Sequence, residues 1–155
     1  MMHELNLPSY DFRVRTEGGK PRIFDEVRKK FVALTPEEWV RQHFIMFLIH
    51  HRSTPAGLII MEKILTMNTM TRRPDILVHD RRGRPLMIIE CKAPGVKVTQ
   101  ETFDQVARYN AVLHVPYLVV TNGMVHYCCR MDYRDNTFHF LQDIPDYNEI
   151  ASVAD

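Results

Sequence analysis

The sequence predicts an α/β or α+β domain in which a mixed β-sheet carries helices on its faces. Short apolar runs bounded by turn residues are interleaved with two longer stretches of helical spacing. Their order is helix, strand, strand, strand, helix, strand, strand, the pattern of a sheet covered by helices. The composition over 155 residues, 45% hydrophobic and 25% charged, is that of an ordinary globular chain long enough to bury a core without staples.

The first 20 residues are polar and aromatic without a clear period, and Gly18-Gly19 followed by Pro21 marks a turn. From Ile23 to Leu34 the chain allows a strand or a short helix, with Phe24, Val27, Phe31 and Leu34 at helical spacing. Thr35-Pro36-Glu37-Glu38 then opens a helix: an N-cap threonine, a proline at the first helical position and a capping-box glutamate at the third. It runs to about His51, with Val40, Phe44, Phe47 and His51 along one stripe. Most of its other surface is also apolar, so burial nearly all round is expected. Leu58 to Leu65 reads as a strand, with a helical turn as the alternative, and residues 66–73 are polar. Ile76-Leu77-Val78 and Leu86-Met87-Ile88-Ile89, separated by residues 80–85, form a hairpin signal. Thr99 caps a second helix through Leu113, with Phe103, Val106, Ala107 and Asn110 at core-like positions. Pro116 to Thr121 is a strand closed by Asn122-Gly123, and Val125 to Arg130 pairs with it. Phe138-His139-Phe140-Leu141 is followed by acidic sequence.

Three cysteines, two of them adjacent, do not make a secreted disulfide framework. No apolar run approaches the roughly 20 residues of a membrane span, and the first residues lack a signal peptide's apolar stretch, so a cytoplasmic setting is expected. Residues 1–131 carry 19 Lys/Arg against 13 Asp/Glu, whereas residues 132–155 carry Arg134 against six acids. A basic body with an acidic end is compatible with a polyanionic partner. There is no repeat and no GxxxxGK(S/T), hence no support for an ATP site. The chain reads as a single domain, 1–155, with a core at about 20–130 and an acidic tail at about 132–155.

The hairpin turn carries the most chemical information. If the loop is symmetric about Arg82-Gly83, cross-strand partners sum to 165: Asp80 faces Pro85, Leu77 faces Ile88, and Asp75 faces Glu90. Opposed side chains share a face with Cβ atoms about 4.5–5.5 Å apart. Two carboxylates there repel unless one is protonated, a base intervenes or a divalent cation sits between them. Alternation places Lys92 on the face of Glu90 and Cys91 on the other. Two acids and an amine suit a hard cation and a lysine that orients an attacking water. An odd-length loop would separate the pair.

Arg73-Pro74-Asp75 followed by Ile88-Ile89-Glu90-Cys91-Lys92 resembles the PD-(D/E)xK nuclease signature, and Gln105 through Tyr109 resembles the QxxxY element of its RecB-like and type I restriction branches. The text from Phe24 to Lys30 and from Thr35 to Gln42 resembles the N-terminal nuclease domain of type I restriction R subunits. The likeness spans about residues 20 to 130, without the translocase region of those subunits.

The resemblance implies a restriction-endonuclease-like sheet flanked by helices and a metal-dependent DNA hydrolase. Asp75 and Glu90 would ligate Mg2+, with Mn2+ able to substitute, helped by the Cys91 carbonyl. Lys92 would position water or stabilise phosphate charge. Gln105 and Tyr109, four apart on one helical face, would steady the lysine, the backbone or the metal shell, and Glu38 resembles the helix-borne acid that supports the site. The implied partners are DNA and a homodimer or larger restriction-type complex. The alternative is a nucleic-acid-binding or assembly module that keeps the fold but is inactive, or active only with a partner. Plainer roles compete for each residue. Arg72, Arg73, Arg81, Arg82 and Arg84 could bridge Asp75 and Glu90 as surface ion pairs. Capping alone accounts for Glu38, and Gln105 and Tyr109 also fit helix surface and core edge. His50-His51 suits carbonyl capping better than zinc, and Cys128 and Cys129, on alternate sides of a strand, suit packing better than chelation.

Overall fold

The computed structural model describes residues 2–61, 65–67 and 70–153, with side chains described at all of these except 65–67, 70–72, 109, 111–113 and 153. Its first helix, α1 (Pro36–His51), forms where the capping signal lies: Thr35 Oγ1 accepts the Glu38 N–H at 3.0 Å. As its composition requires, the helix is buried on most sides, with Val40, Phe44, Ile45 and Leu48 almost wholly out of solvent. The second long helix, α2 (Gln100–Leu113), is capped by Thr99 and ends at His114 in the left-handed region, φ 56°. His50 and His51 do not end α1 as carbonyl caps would. Arg52 supplies the cap N–H to Leu48 O, and His51 Nδ1 pairs with the Tyr10 hydroxyl at 2.8 Å.

Upstream of α1, β1 (Val14–Glu17), β2 (Lys20–Asp25) and β3 (Lys30–Ala33) make a three-stranded antiparallel sheet. The segment from Ile23 to Leu34 is therefore not helical. Lys29 at φ 56° closes a turn, and Phe24 and Phe31 meet directly across the strands with ring centroids 5.2 Å apart. Spacing of Phe24 and Phe31 by seven suits a helix, but the same count is satisfied by a hairpin whose turn absorbs four residues.

The central sheet contains β4 (Ile59–Met61), β7 (Ile76–His79), β8 (Pro85–Cys91), β9 (Tyr117–Thr121), β10 (His126–Asp132) and β11 (Thr137–Leu141), in the order β11-β10-β9-β8-β7-β4. Between β4 and β7 lies a separate hairpin, β5 (Leu65–Met67) with β6 (Met70–Arg72). The expected strand from Leu58 to Leu65 is realised as Ile59–Met61 and the start of β5; residues 62–64 lie outside the described residues. Pairs are antiparallel except β8 with β9, where α2 serves as the crossover that parallel neighbours need. The fold is α+β with a mixed sheet.

Each face of the sheet has its own core. Ile76, Val78, Met87, Ile89, Cys91 and Val119 lie under α1. Leu77, Ile88, Leu118, Val120 and Cys129 lie under Phe103, Val106 and Ala107 of α2. Cys128 and Cys129 divide between the two cores as alternation requires, and burial pushes both thiols up to about 12. The acidic end also contributes: β11 pairs along β10, and Ile144 with Tyr147 and Ile150 of α3 (Tyr147–Val153) is buried on the α1 side.

The β7–β8 turn reaches the expected register by a different route. Asp80 does not face Pro85; His79 does, enclosing an odd loop of five residues, 80–84. Leu86 is then an extra residue on β8, a bulge that restores the parity, so Val78 pairs with Met87, Leu77 with Ile88 and Ile76 with Ile89. Asp80 organises the loop from within, its Oδ1 accepting the N–H groups of Arg82 at 2.8 Å and Arg84 at 2.9 Å. Gly83 supplies the φ of 82° that the turn demands.

Candidate functional site

Asp75 lies immediately before β7, after Pro74, and the register of Ile76 with Ile89 sets it beside Glu90. A direct bond fixes the relation: Asp75 Oδ2 accepts the backbone N–H of Cys91 at 2.8 Å. Lys92 N–H donates to Thr121 O at 2.8 Å, which carries the β8–β9 pairing one residue past Cys91. Strand alternation thus continues from Ile88 through Glu90 to Lys92 on the α2 side, while Cys91 turns into the α1-side core. Glu90 and Lys92 are both half-buried. The three residues of the signature, Asp75, Glu90 and Lys92, are therefore gathered at the same end of neighbouring strands.

Asp75 has a second partner that the sequence reading omitted. Its Oδ1 accepts from Arg41 Nη2 at 2.9 Å. Arg41, only 6% exposed, also donates to Glu38 Oε1 at 2.7 Å and Glu37 Oε1 at 2.9 Å. One guanidinium thus faces three carboxylates. Burial pulls Arg41 toward the neutral form, but the charges of Glu38 and Asp75 outweigh it and raise the guanidinium above its ordinary value. Its Nε–H has no partner among the described residues. Guanidinium geometry suits this role, since its planar fork presents several donors at once.

The network continues along α1. Gln42, wholly buried, donates from Nε2 to Glu38 Oε2 at 3.0 Å and to Asp25 Oδ2 at 2.9 Å. Asp25, also wholly buried, accepts further from the N–H groups of Val27 and Arg28 and from Arg28 Nε. Burial pushes the Asp25 carboxyl up, but hydrogen bonds from Arg28 and Gln42 prevail and hold it below the usual carboxylate range. A continuous polar seam, Asp25–Gln42–Glu38–Arg41–Asp75, so joins the first sheet to the start of β7. The Cys91 thiol lies near it: burial raises its pKa well above normal, with the charges of Asp75 and Glu90 adding to the rise and Arg41 opposing it. That makes it a poor nucleophile and a structural residue.

Glu38 distinguishes its two expected roles. Its N–H completes one half of a capping box, but its carboxylate turns to Arg41 and Gln42, so capping does not explain the acid. Gln105 sits on the exposed side of α2 and makes no hydrogen bond to Asp75, Glu90 or Lys92 among the described residues. The backbone of Tyr109 is helical, but its side chain lies outside the described residues, as does that of Arg72. Arg73, Arg81 and Arg82 are exposed, while Arg84 Nε is bonded to Asp80 Oδ2 at 2.8 Å.

Among the described residues, no group of three or more His, Cys, Asp or Glu side chains is arranged to hold a metal ion. Asp75, Glu90 and the Cys91 backbone carbonyl are the oxygen donors that a hard cation takes and they meet at one strand end, with the Asp75 carboxylate turned to Arg41 of α1 and Glu90 on the α2 side. The positive charge now resting on Asp75 is that of Arg41.

Asp25, Arg41 and Gln42 are the members of this seam that sequence reasoning missed. Their signal was present as Glu37 and Glu38 followed three and four residues later by Arg41 and Gln42, in a helix otherwise apolar enough to be buried. Polar side chains cannot be buried there without partners.

The family model described as type I restriction enzyme R protein N terminus matches residues 36–145. A solved fragment assigned to an HsdR subunit of a type I restriction enzyme from Vibrio vulnificus YJ016 superposes with a TM-score of 0.50 at 19% identity, over 76% of this chain and 24% of that one. The chain thus spans about a quarter of that structure's length, and the likeness at this identity is one of fold. No curated protein matches. No helix among the described residues is long and apolar enough to cross a membrane.

Proposed function

This chain belongs to the family of type I restriction enzyme R protein N termini, and from that premise we propose that it is a divalent-metal-dependent DNA phosphodiester hydrolase of the PD-(D/E)xK type. The observation that carries the reading is the bond from Cys91 N–H to the Asp75 carboxylate, which ties the first acid to the middle of the Glu90-Cys91-Lys92 run. Asp75, Glu90 and the Cys91 carbonyl would hold Mg2+ or Mn2+. When bound, such an ion supplies Lewis-acid stabilisation of phosphoryl charge and a more acidic water. Lys92, on the face of Glu90, orients the attacking water or the scissile phosphate and adds a positive charge where negative charge develops. Gln105 and Tyr109 belong to the helix on that same sheet face and are assigned a supporting role toward Lys92. Glu38 supports the site through Arg41, which both acids share. The substrate would be DNA, reached as a homodimer or within a larger restriction-type complex.

A second reading is favoured by one specific observation, the ion pair between Arg41 and Asp75. A carboxylate already neutralised suits a DNA-binding or assembly module that is inactive by itself. Incubation of supercoiled and linear DNA with Mn2+ separates the two. The hydrolase reading expects cleavage by the parent, and a loss of about 100-fold or more in Glu90→Gln and Lys92→Met, on the scale of removing a key electrostatic contributor. DNA binding with no cleavage under any divalent ion favours the module.

A further inference from the structure

We propose that Arg41 is a built-in stand-in for the divalent cation: its guanidinium neutralises Asp75 in the metal-free protein, and an entering ion must displace it. The inference rests on the metal-binding reading above and adds to it the residue that sets the affinity and the metal-free state of the site. Three features carry it. Arg41 is a buried cation whose Nη2 lies 2.9 Å from the oxygen of Asp75 left over by the Cys91 N–H. It therefore occupies one lone pair of that oxygen and places a positive charge where an inner-sphere ion would sit. It also answers a problem that any empty carboxylate site faces. Glu37, Glu38 and Asp75 all reach the same guanidinium, and without it three acids would repel each other at the edge of the core. Finally, the guanidinium does not use all of its donors on the protein. Its Nε–H has no partner among the described residues, so it is anchored through its Nη groups alone, and one of their three bonds would be released when Asp75 is taken by a metal. The bonds to Glu37 and Glu38 would retain the arginine on α1 after Asp75 lets go.

Arg41 is thus a positioning residue that acts through Asp75. A purely structural arginine and a competing one differ in sign. Removing a structural support disorders the carboxylates and weakens metal binding. Removing a competitor strengthens it, because two cations at one carboxylate repel each other and the coupling works in both directions.

The test is calorimetric titration of Mn2+ and Ca2+, alone and without DNA, into the full chain and into Arg41→Met, Arg41→Lys and Asp75→Asn, with thermal melts in chelator alongside. The expected result is that Arg41→Met binds Mn2+ at least about five-fold more tightly than the parent, the lower end of ordinary coupling. Arg41→Lys should fall between them, and Arg41→Met should melt lower in chelator and recover more than the parent when Mn2+ is added. Equal or weaker binding by Arg41→Met, with the parent still binding and Asp75→Asn not, overturns the proposal and leaves the metal site standing. Absence of binding in both parent and Arg41→Met overturns both. If Arg41→Met does not fold, nitrogen NMR of the arginine side chains in the parent decides. The Arg41 signals must shift as Ca2+ is added, and unchanged signals while Ca2+ binds overturn the proposal.

Discussion

The two faces of the central sheet solve different problems. Under α2 the contacts are apolar, Leu77, Ile88, Leu118 and Val120 against Phe103, Val106 and Ala107. Beyond them the same face opens into solvent, where Tyr127, Phe138 and Phe140 stay exposed beside a groove of about 390 Å³ that Phe103 also lines. Under α1 the apolar core is larger, yet its margin is a polar seam from Asp25 to Asp75 whose members are largely buried. Apolar packing is non-directional and tolerates exchange of shape. A buried ion pair has to be satisfied on every side, and loss of one member leaves the others uncompensated. The α1 side is therefore where geometry is held most tightly, and Asp75 is attached to it.

The largest expected effect tests that contrast directly. Asp25 is wholly buried and accepts bonds from Val27, Arg28 and Gln42. Asp25→Ala should cost about 3–5 kcal/mol in urea unfolding, since it removes the shared acceptor of the part-buried Arg28 and the buried Gln42 amide. A cost below about 1 kcal/mol would show that the seam does not join the first sheet to α1, and the two faces would then differ only in composition.

Most of the frame behind this contrast could be read in the sequence. Thr35-Pro36-x-Glu38, the Thr99 cap and the Asn122-Gly123 turn each act through the backbone of their own segment, and each formed where expected. The pairing of Leu77 with Ile88 was also legible, although the reason was different: an odd loop and a bulge at Leu86 cancel, and nothing in a hydrophobic pattern separates that from an even loop. What stayed hidden depends on distant segments. β1 shows four exposed residues and no period, and it exists only because β2 offers an edge. Arg41 and Asp75 are 34 positions apart, and no local rule brings a helix arginine to a strand acid. Glu38 itself was in view as a supporting acid, but its capping position accounted for it equally well, and its bonds to Arg41 and Gln42 were not legible.

A smaller effect separates the faces by pH. His43 lies on α1 with Nδ1 2.8 Å from Trp39 O, and burial holds its imidazole below the ordinary 6.5, with that bond opposing. The unfolded chain takes up this proton more readily than the folded one, so stability is full above about pH 6.5 and declines below it until the folded group also protonates. Asp25 adds a second loss on the acid side. Its lowered carboxyl stabilises the fold above the ordinary value of 3.8, and that contribution goes as pH falls past it. Urea midpoints from pH 8 to 3 should therefore fall in two steps. His43→Gln should flatten the first, and Asp25→Asn should reduce the second, to which Asp80, Asp132 and Asp146 also contribute because hydrogen bonds hold their carboxyls below the usual range. A first step that survives in His43→Gln would assign it to another histidine, with His126 next to examine because burial also lowers it.

The finest comparison uses adjacent residues. Ile88 and Ile89 are both wholly buried on β8 but point to opposite faces, Ile88 to the α2 side and Ile89 to the α1 side. Ile→Val at either position removes one methyl group and should cost about 0.5–1.5 kcal/mol, with no difference in kind. Their effects on the site should nevertheless diverge. Ile89 pairs with Ile76, the residue after Asp75, and its own face continues to Cys91, whose N–H holds the Asp75 carboxylate. A vacancy there lets the strand ends settle and alters that hydrogen bond, whereas a vacancy at Ile88 is taken up by Leu77, Leu118 and the α2 side chains. The Cys91 amide resonance reports the difference: Ile89→Val should move it, and Ile88→Val should leave it nearly in place. Equal shifts from the two would mean that Asp75 is held through the whole sheet rather than through its α1 face.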